Sequence, residues 1–413
     1  MINCTRKDLF KGGEDIVSAL SSLEGTQHAL FTPEEIVEYA KKQGYFREDE
    51  DVAAKEIGDG NINYVFRLTG ANRSLIFKQA VPYARVVGES MPLPLDRVRI
   101  EAKVLEQYAK IAPEFVPHVY GLDEARALVV MEDLSHLQVG RTALINGTES
   151  ARFAEDVGVF IAKTIFYTSD FYLDPAVKKE RIAELSNPGM RQLTEELVLS
   201  HPFAFHETNV FEDELRNDVL WLSRDDRLRL EVAKLKHTFM TKADALIHSD
   251  LHTGSIFIGE HETKIFDPEF AFFGPFGFDL GQFIANLFLN GLGTPDYLHK
   301  RFRNALETWY AFTDTFSRLW RDESVEPYTK VDGYLSYLLR NIFSDALGYA
   351  GCELIRRSIG IAQIQDLNYE SDKQKRIPRR KAAVELGKYL ILERHNIRSL
   401  EELENWLQQL KLA

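Results

Sequence analysis

Residues 245–281 read ALIHSDLHTGSIFIGEHETKIFDPEFAFFGPFGFDLG. Ala245 to Ile247, Ser255 to Ile258 and Lys264 to Phe266 are apolar runs too short for helices and bounded by turn residues, so each predicts a strand. Their ends carry the chemistry. His248-Ser249-Asp250-Leu251-His252 lies between the first two, and Asp267-Pro268-Glu269 closes the third. Carboxylates at Asp250, Asp267 and Glu269, delivered at the ends of neighbouring strands, can converge on one cleft. Metal-assisted phosphoryl transfer needs hard oxygen ligands for Mg²⁺ and one carboxylate to orient the attacking hydroxyl. The plainer reading makes His-x-Asp and Asp-Pro turn chemistry and the three acids solvated loop tips. The order and spacing of the whole set weigh against it.

Working outward, residues 52 to 82 predict three strands: Val52 to Ile57, Ile62 to Leu68 and Leu75 to Ala80. The first two are joined by Gly58-Asp59-Gly60-Asn61-Ile62-Asn63, whose small residues would let backbone N–H groups approach phosphates. Taken alone, it reads better as an ordinary hairpin turn. Asn61 is the candidate nucleotide contact there. Lys78 sits within the apolar third strand, where a lysine is usually solvent-facing or an edge guard. Following such a hairpin, it is also where kinases place the lysine that pairs with the α/β-phosphates. The helix predicted in DRVRIEAKVLEQYA offers Glu101 and Glu106 as partners for it, and Glu101 is the better placed. Ala127 to Met131 predicts a further strand running into Glu132-Asp133-Leu134, a hinge whose backbone can bond an adenine edge.

Elsewhere helices dominate. Thr32-Pro33-Glu34-Glu35 predicts a capping box opening a helix that ends near Gly44. Helical spacing runs over 149–166, and Trp309, Phe312, Phe316 and Trp320 recur at three or four residues, a stripe that reads as core. A last helix is expected from a cap at Ser399 with Glu402. Residues 170 to 243 predict helices with irregular connections and no assignable chemistry. The fold class is therefore α+β: a small β-sheet lobe over 1–131, a hinge at 132–135 and a larger, mainly helical lobe over 136–413.

Of 413 residues, 45% are hydrophobic and 27% charged, ordinary for a soluble enzyme. The net charge of −13 argues against nucleic acid or an anionic membrane as the main partner. Cys4 and Cys352 cannot form a disulfide framework. No apolar run of spanning length appears, and the first residues lack the apolar core of a signal peptide. A cytoplasmic protein is expected.

The order GDGN, strand lysine, hinge, HxDLH and Asp-bearing strand end resembles the aminoglycoside/choline-kinase branch of the protein-kinase-like fold. Within it, GDGNIN, DLHTGSIF, FDPEFAFFGPFGFDLG and CELIRRSIG closely resemble the 5-methylthioribose kinases, from about residue 30 to the end. The resemblance implies a bilobal fold, ATP and Mg²⁺ as cofactors, and a homodimer. It implies phosphorylation of the anomeric 1-hydroxyl of S-methyl-5-thioribose in methionine salvage. By position, it makes Asp250 the catalytic residue beside the sugar. Asn61, Lys78, Glu132, Asp133, Leu134, Asp267, Pro268 and Glu269 become the nucleotide site, and Asp267 and Glu269 the metal ligands. Arg356 and Arg357 are implied to attend the sugar and the transferred group, with Glu101, His248, Ser255 and Asp279 supporting. A solvated helix face is the plainer reading of the arginine pair, but Gly348 and Gly351 upstream would permit close helix packing beside the cleft. A helix N-cap is the plainer reading of Asp279, against bracing of the Asp250 loop.

Two positions depart from kinase expectation. Ser249 stands where the family usually has glycine, and if the turn needs positive φ, serine strains it by about 1–2 kcal/mol. Ser255 occupies the place of the usual metal-binding asparagine, so Glu269 is expected to restore the missing ligand charge. The competing functions are a phosphotransferase for another hydroxyl metabolite (aminoglycoside, choline or homoserine type), or a catalytically idle nucleotide-binding scaffold.

Overall fold

The computed structural model describes residues 30–57, 62–84, 88–148, 150–408 and 410. Asn61 and most of its hairpin turn lie outside them. Helix α1 (Pro33–Lys42) begins as expected: the Thr32 hydroxyl accepts from Glu35 N, Glu35 accepts from Thr32 N, and Pro33 opens the helix. Strands β1 (Ala53–Glu56), β2 (Asn63–Thr69) and β3 (Ser74–Ala80) follow, then the short pair β4 (Tyr83–Ala84) and β5 (Gly88–Pro92). Helix α2 (Arg97–Ile111) leads to β6 (Val119–Asp123) and β7 (Leu128–Glu132). The main sheet is antiparallel in the order β1-β2-β3-β7-β6. Lys78 is therefore on the central strand, paired with Val65 and Val129, and it is buried. The edge-guard reading of this lysine fails.

Period-two alternation splits the sheet between two cores. Phe66, Leu68, Leu75, Phe77, Leu128 and Val130 pack under α1 with Ile36 and Ala40. The opposite face, with Val129 and Met131, meets α2 through Val98, Val104 and Leu105. Lys78 and Glu101 face each other across that second layer.

Beyond the sheet come β8 (Gln138–Val139), α3 (Gly140–Ile145), α4 (Phe153–Thr168), α5 (Pro175–Glu184), α6 (Pro188–Leu197), α7 (Arg216–Leu222) and α8 (Asp226–Thr241). Four short strands then surround the loops quoted above: β9 (Ala245–Ile247), β10 (Ile256–Ile258), β11 (Thr263–Ile265) and β12 (Phe272–Gly274). The chain closes with α9 (Phe278–Gly293), α10 (Leu298–Glu323), α11 (Tyr334–Ile359), α12 (Gln365–Asn368), α13 (Lys373–Glu393) and α14 (Glu402–Gln408). Phe312, Phe316 and Trp320 of α10 are buried, and their rings pack on one another. Helix α14 starts at Glu402 itself, about two residues later than a Ser399 cap requires. Glu402 instead accepts the Arg398 N–H from the preceding turn.

Helix α11 rests closely on α13. A Cβ built on Gly351 would lie 2.5 Å from the Gly387 carbonyl oxygen. Only glycine permits that backbone contact, and it fixes the depth at which the following arginines emerge. No helix among the described residues is long and apolar enough to cross a membrane.

Candidate active site

The Asp250 loop is pinned from beneath. Asp279, in the first turn of α9, accepts from His248 N at 2.7 Å and from Ser249 N at 2.8 Å. Gly277, not Asp279, occupies the N-cap position. Gln282 accepts from Leu251 N at 3.1 Å. Ser255 Oγ accepts from His252 N and lies within donating distance of the Asp250 and His252 carbonyls, at 3.0 and 2.9 Å. Its hydroxyl is thus spent on the loop, which is why 253–255 forms a 3-10 turn and β10 starts one residue late. Ser249 itself has φ of 66°.

His248 is buried and the His252 side chain is 15% exposed; desolvation holds both below the ordinary imidazole range. Their partners fix the neutral tautomers. His248 Nε2 donates to the Phe266 carbonyl at 2.9 Å while its Nδ1 faces Asp250 N at 3.3 Å. His252 Nδ1 accepts from Gly254 N at 3.0 Å, leaving Nε2–H directed at Asp250 Oδ2, 3.5 Å away.

Asp250 also faces two guanidinium groups: Arg356 Nη2 at 3.5 Å and Arg357 Nη2 at 3.7 Å from Oδ1. Burial alone would push its carboxyl up. His252 and the two arginines instead hold it well below the usual carboxylate range. Both arginines are buried, so the solvated-face reading fails. Each is held at Nε by the wholly buried Glu353, which also receives the Asn286 amide.

The second centre surrounds Lys78. Its ammonium donates to Glu101 at 2.9 Å and to Asp267, whose backbone is left-handed at φ 68°. Glu269 is buried, 2.9 Å from Asn63 Nδ2 and 3.2 Å from Arg97 Nε. Burial would depress the Lys78 ammonium, but Asp267, Glu101 and Glu269 raise it well above its ordinary value. Burial pushes Glu101 and Glu269 up in turn. Carboxylate oxygens of Glu101, Asp267 and Glu269 lie within 4.8 Å of one another. Three carboxylates against the two cations Lys78 and Arg97 leave a hard-oxygen set short of positive charge. That donor set suits Mg²⁺.

Both centres line one cavity of about 540 Å³. Val65, Ile76, Met131, Leu134, Phe257 and Phe266 give it apolar walls from both parts of the chain. At the hinge, Glu132 accepts from His118 N, and Asp133 pairs with Arg67 at 3.0 Å and with Ser135. Those two side chains are engaged in shaping the hinge rather than free for a ligand. Pro268 contributes its carbonyl to Ala271 N in the turn after Asp267.

Residues 53–319 match the phosphotransferase enzyme family. The chain is 49% identical over 391 residues to a methylthioribose kinase of Geobacillus sp. (strain WCH70), spanning 94% of this chain and 98% of that one. With a methylthioribose kinase of Bacillus thuringiensis (strain Al Hakam), it shares 49% identity over 356 residues, 86% of this chain and 91% of the other. The chain belongs to the methylthioribose kinase family. Its fold is accordingly the bilobal, protein-kinase-like one, with a small antiparallel sheet and a mainly helical remainder. Among solved structures, a choline kinase from Cryptosporidium parvum Iowa II aligns over 92% of this chain and 100% of its own, at 13% identity and a TM-score of 0.46.

Several members of this methylthioribose kinase site escape sequence reasoning. Arg97 is fully buried, and one guanidinium nitrogen reaches the carbonyls of Ile62 and Val81 and the Asn63 side chain. In sequence it looks like one more surface arginine in DRVRIEAK. Glu353 had a local signal: it precedes Arg356 and Arg357 by three and four residues, the spacing at which helical side chains meet. His252 was visible in the motif but silent about its target. Leu193, Thr194, Leu197 and Val198, from the α6 region, also line the cavity.

Proposed function

We propose that this chain transfers the γ-phosphoryl group of ATP to the anomeric 1-hydroxyl of S-methyl-5-thioribose, giving S-methyl-5-thioribose 1-phosphate in methionine salvage. The observation that carries the reading is the pairing, in one cavity, of Asp250 beside two buried arginines with Lys78 beside three clustered carboxylates. Residues up to 131 would form the nucleotide-side lobe, 132–135 the hinge and 136–413 the catalytic lobe. The hinge backbone at Glu132, Asp133 and Leu134 would meet the adenine edge, and Asn61 would contact the nucleotide.

Asp250, kept ionised, orients the sugar hydroxyl and accepts its proton as the oxygen–phosphorus bond forms and the bond to ADP breaks. A loose transition state demands little prior activation of the nucleophile. Lys78 binds the α/β-phosphates once they displace part of its carboxylate cage. Arg356 and Arg357, held by Glu353, neutralise charge on the transferring group. Asp267 and Glu269 would hold Mg²⁺, which supplies further neutralisation of the phosphates. Ser255 is a loop brace in this scheme, so the extra ligand is Glu269 alone.

Cationic acceptors such as aminoglycosides or choline are disfavoured by the two guanidiniums at the acceptor side. The apolar Leu193, Leu197 and Val198 suit a methylthio group. A cytosolic homodimer requiring Mg²⁺ completes the reading. ADP release measured with methylthioribose, aminoglycosides, choline, homoserine and no acceptor tests it. Turnover with methylthioribose is expected. Turnover only with another acceptor, or with none, overturns the assignment.

A further inference from the structure

Ser249 carries two local penalties at once. Its φ of 66° lies in the left-handed region, where a Cβ crowds the following carbonyl. It is 1% exposed, and among the described residues its hydroxyl has no hydrogen-bond partner. A buried hydroxyl without a partner is destabilising in its own right. Glycine would remove both penalties and keep the backbone tie at this position, the Ser249 N–H held by Asp279 at 2.8 Å.

Other strained residues differ. Asp267, at φ 68°, has the Lys78 ammonium as partner, and Ala127, at φ 46°, has no polar side chain to satisfy. Ser249 alone among these three combines strain with an idle donor, and it lines the same cavity as its neighbour Asp250. Strain beside reacting groups persists where it serves a bound state.

We propose that the Ser249 hydroxyl is a ligand contact: it donates a hydrogen bond to an oxygen that arrives with the substrates, either a phosphoryl oxygen of the nucleotide or a hydroxyl oxygen of the acceptor sugar. This deepens the kinase reading and rests on it. Near Asp250, the Arg356 and Arg357 guanidiniums are tied to Glu353 and face Asp250, and the His252 Nε2–H is directed at the same carboxylate. The hydroxyl adds a neutral donor that leaves the local charge unchanged.

Ser249→Gly and Ser249→Ala test it, with thermal midpoints, nucleotide affinities and the kcat and KM for ATP and methylthioribose measured on the full chain. Ser249→Gly should melt above the wild type yet lose about five- to tenfold in kcat/KM, the effect of one neutral hydrogen bond. Ser249→Ala, which keeps the Cβ and loses only the hydroxyl, should show the same kinetic loss. A raised KM for ATP places the oxygen on the nucleotide, and a raised KM for the sugar places it on the acceptor. A fall in kcat alone places it on the group in flight. Wild-type kinetics in both variants overturn the proposal. So does a slow Ser249→Gly beside a normal Ser249→Ala, which would make the effect one of backbone freedom. If the wild type releases no ADP with methylthioribose, the acceptor assignment has failed separately. Nucleotide affinities, and kcat and KM for whichever acceptor the wild type does turn over, unchanged across the three proteins would then overturn the Ser249 contact as well.

Discussion

Glu353 grips Arg357 by its Nε–H at 2.7 Å, and the far end of the same guanidinium faces Asp250 at 3.7 Å. The pair is a lever with its fulcrum in the core. Burial would raise the Glu353 carboxyl, but Arg356 and Arg357 hold it at about 2.

Glu353→Gln is expected to lower stability by about 3–5 kcal/mol, because it leaves buried guanidiniums undercompensated. Turnover should fall with it as the arginines lose their aim. The sign in acid follows from a folded value below the ordinary 4.5. The stability from Glu353 is complete above about pH 4.5 and is lost as pH falls toward 2. The gap between wild type and variant in urea melts should therefore close in acid. A constant gap would mean that the charge plays no part.

Asp250→Asn should reduce kcat by about 10²–10⁴, the usual range for a positioned proton acceptor, with ATP affinity little changed by calorimetry. Turnover close to wild type would remove Asp250 from the role.

Magnesium titrations separate the roles of Glu269 and Ser255. Glu269→Gln should raise the Mg²⁺ concentration needed for half-maximal activity. Ser255→Ala should leave that midpoint in place and lower kcat and thermal stability, since its hydroxyl ties His252 N to the loop carbonyls. Equal shifts of the midpoint in both variants would contradict the division.

Acid should loosen the Asp250 loop. His248 is buried as the neutral tautomer, with its folded pKa below the ordinary 6.5. Unfolded chains take up that proton first, so stability is complete above about pH 6.5 and falls as pH drops below it. His248→Gln, which has no such proton to gain, should show a shallower loss between pH 6.5 and 5 in denaturant melts. Identical slopes would exclude His248 as a source.

Much of this was legible because the signals are local. The Thr32 capping box, the Ala245–Ile247 strand and the Asp250, Asp267 and Glu269 positions depend on a few adjacent residues. Glu101 was preferable to Glu106 because its place on the helix put it on the sheet-facing side, where it is wholly buried. Strand ends moved by a residue where side chains intervened, as Ser255 shows. What stayed hidden was tertiary. Arg97 acquires its meaning from Glu269, and α6 from a cavity wall formed by chain far away in sequence. Helix α9 begins at Phe278 inside a Gly/Pro-rich stretch that reads as a turn, because packing overrides local propensity there.

The Gly351–Gly387 contact carries a last consequence. Two positions remote from any reacting atom set the gauge of the rod that bears the arginines. A single methyl added at either would tilt that rod and spoil the calibration at its tip, leaving every chemical group intact. Loss of activity in this enzyme can therefore originate in carpentry rather than chemistry.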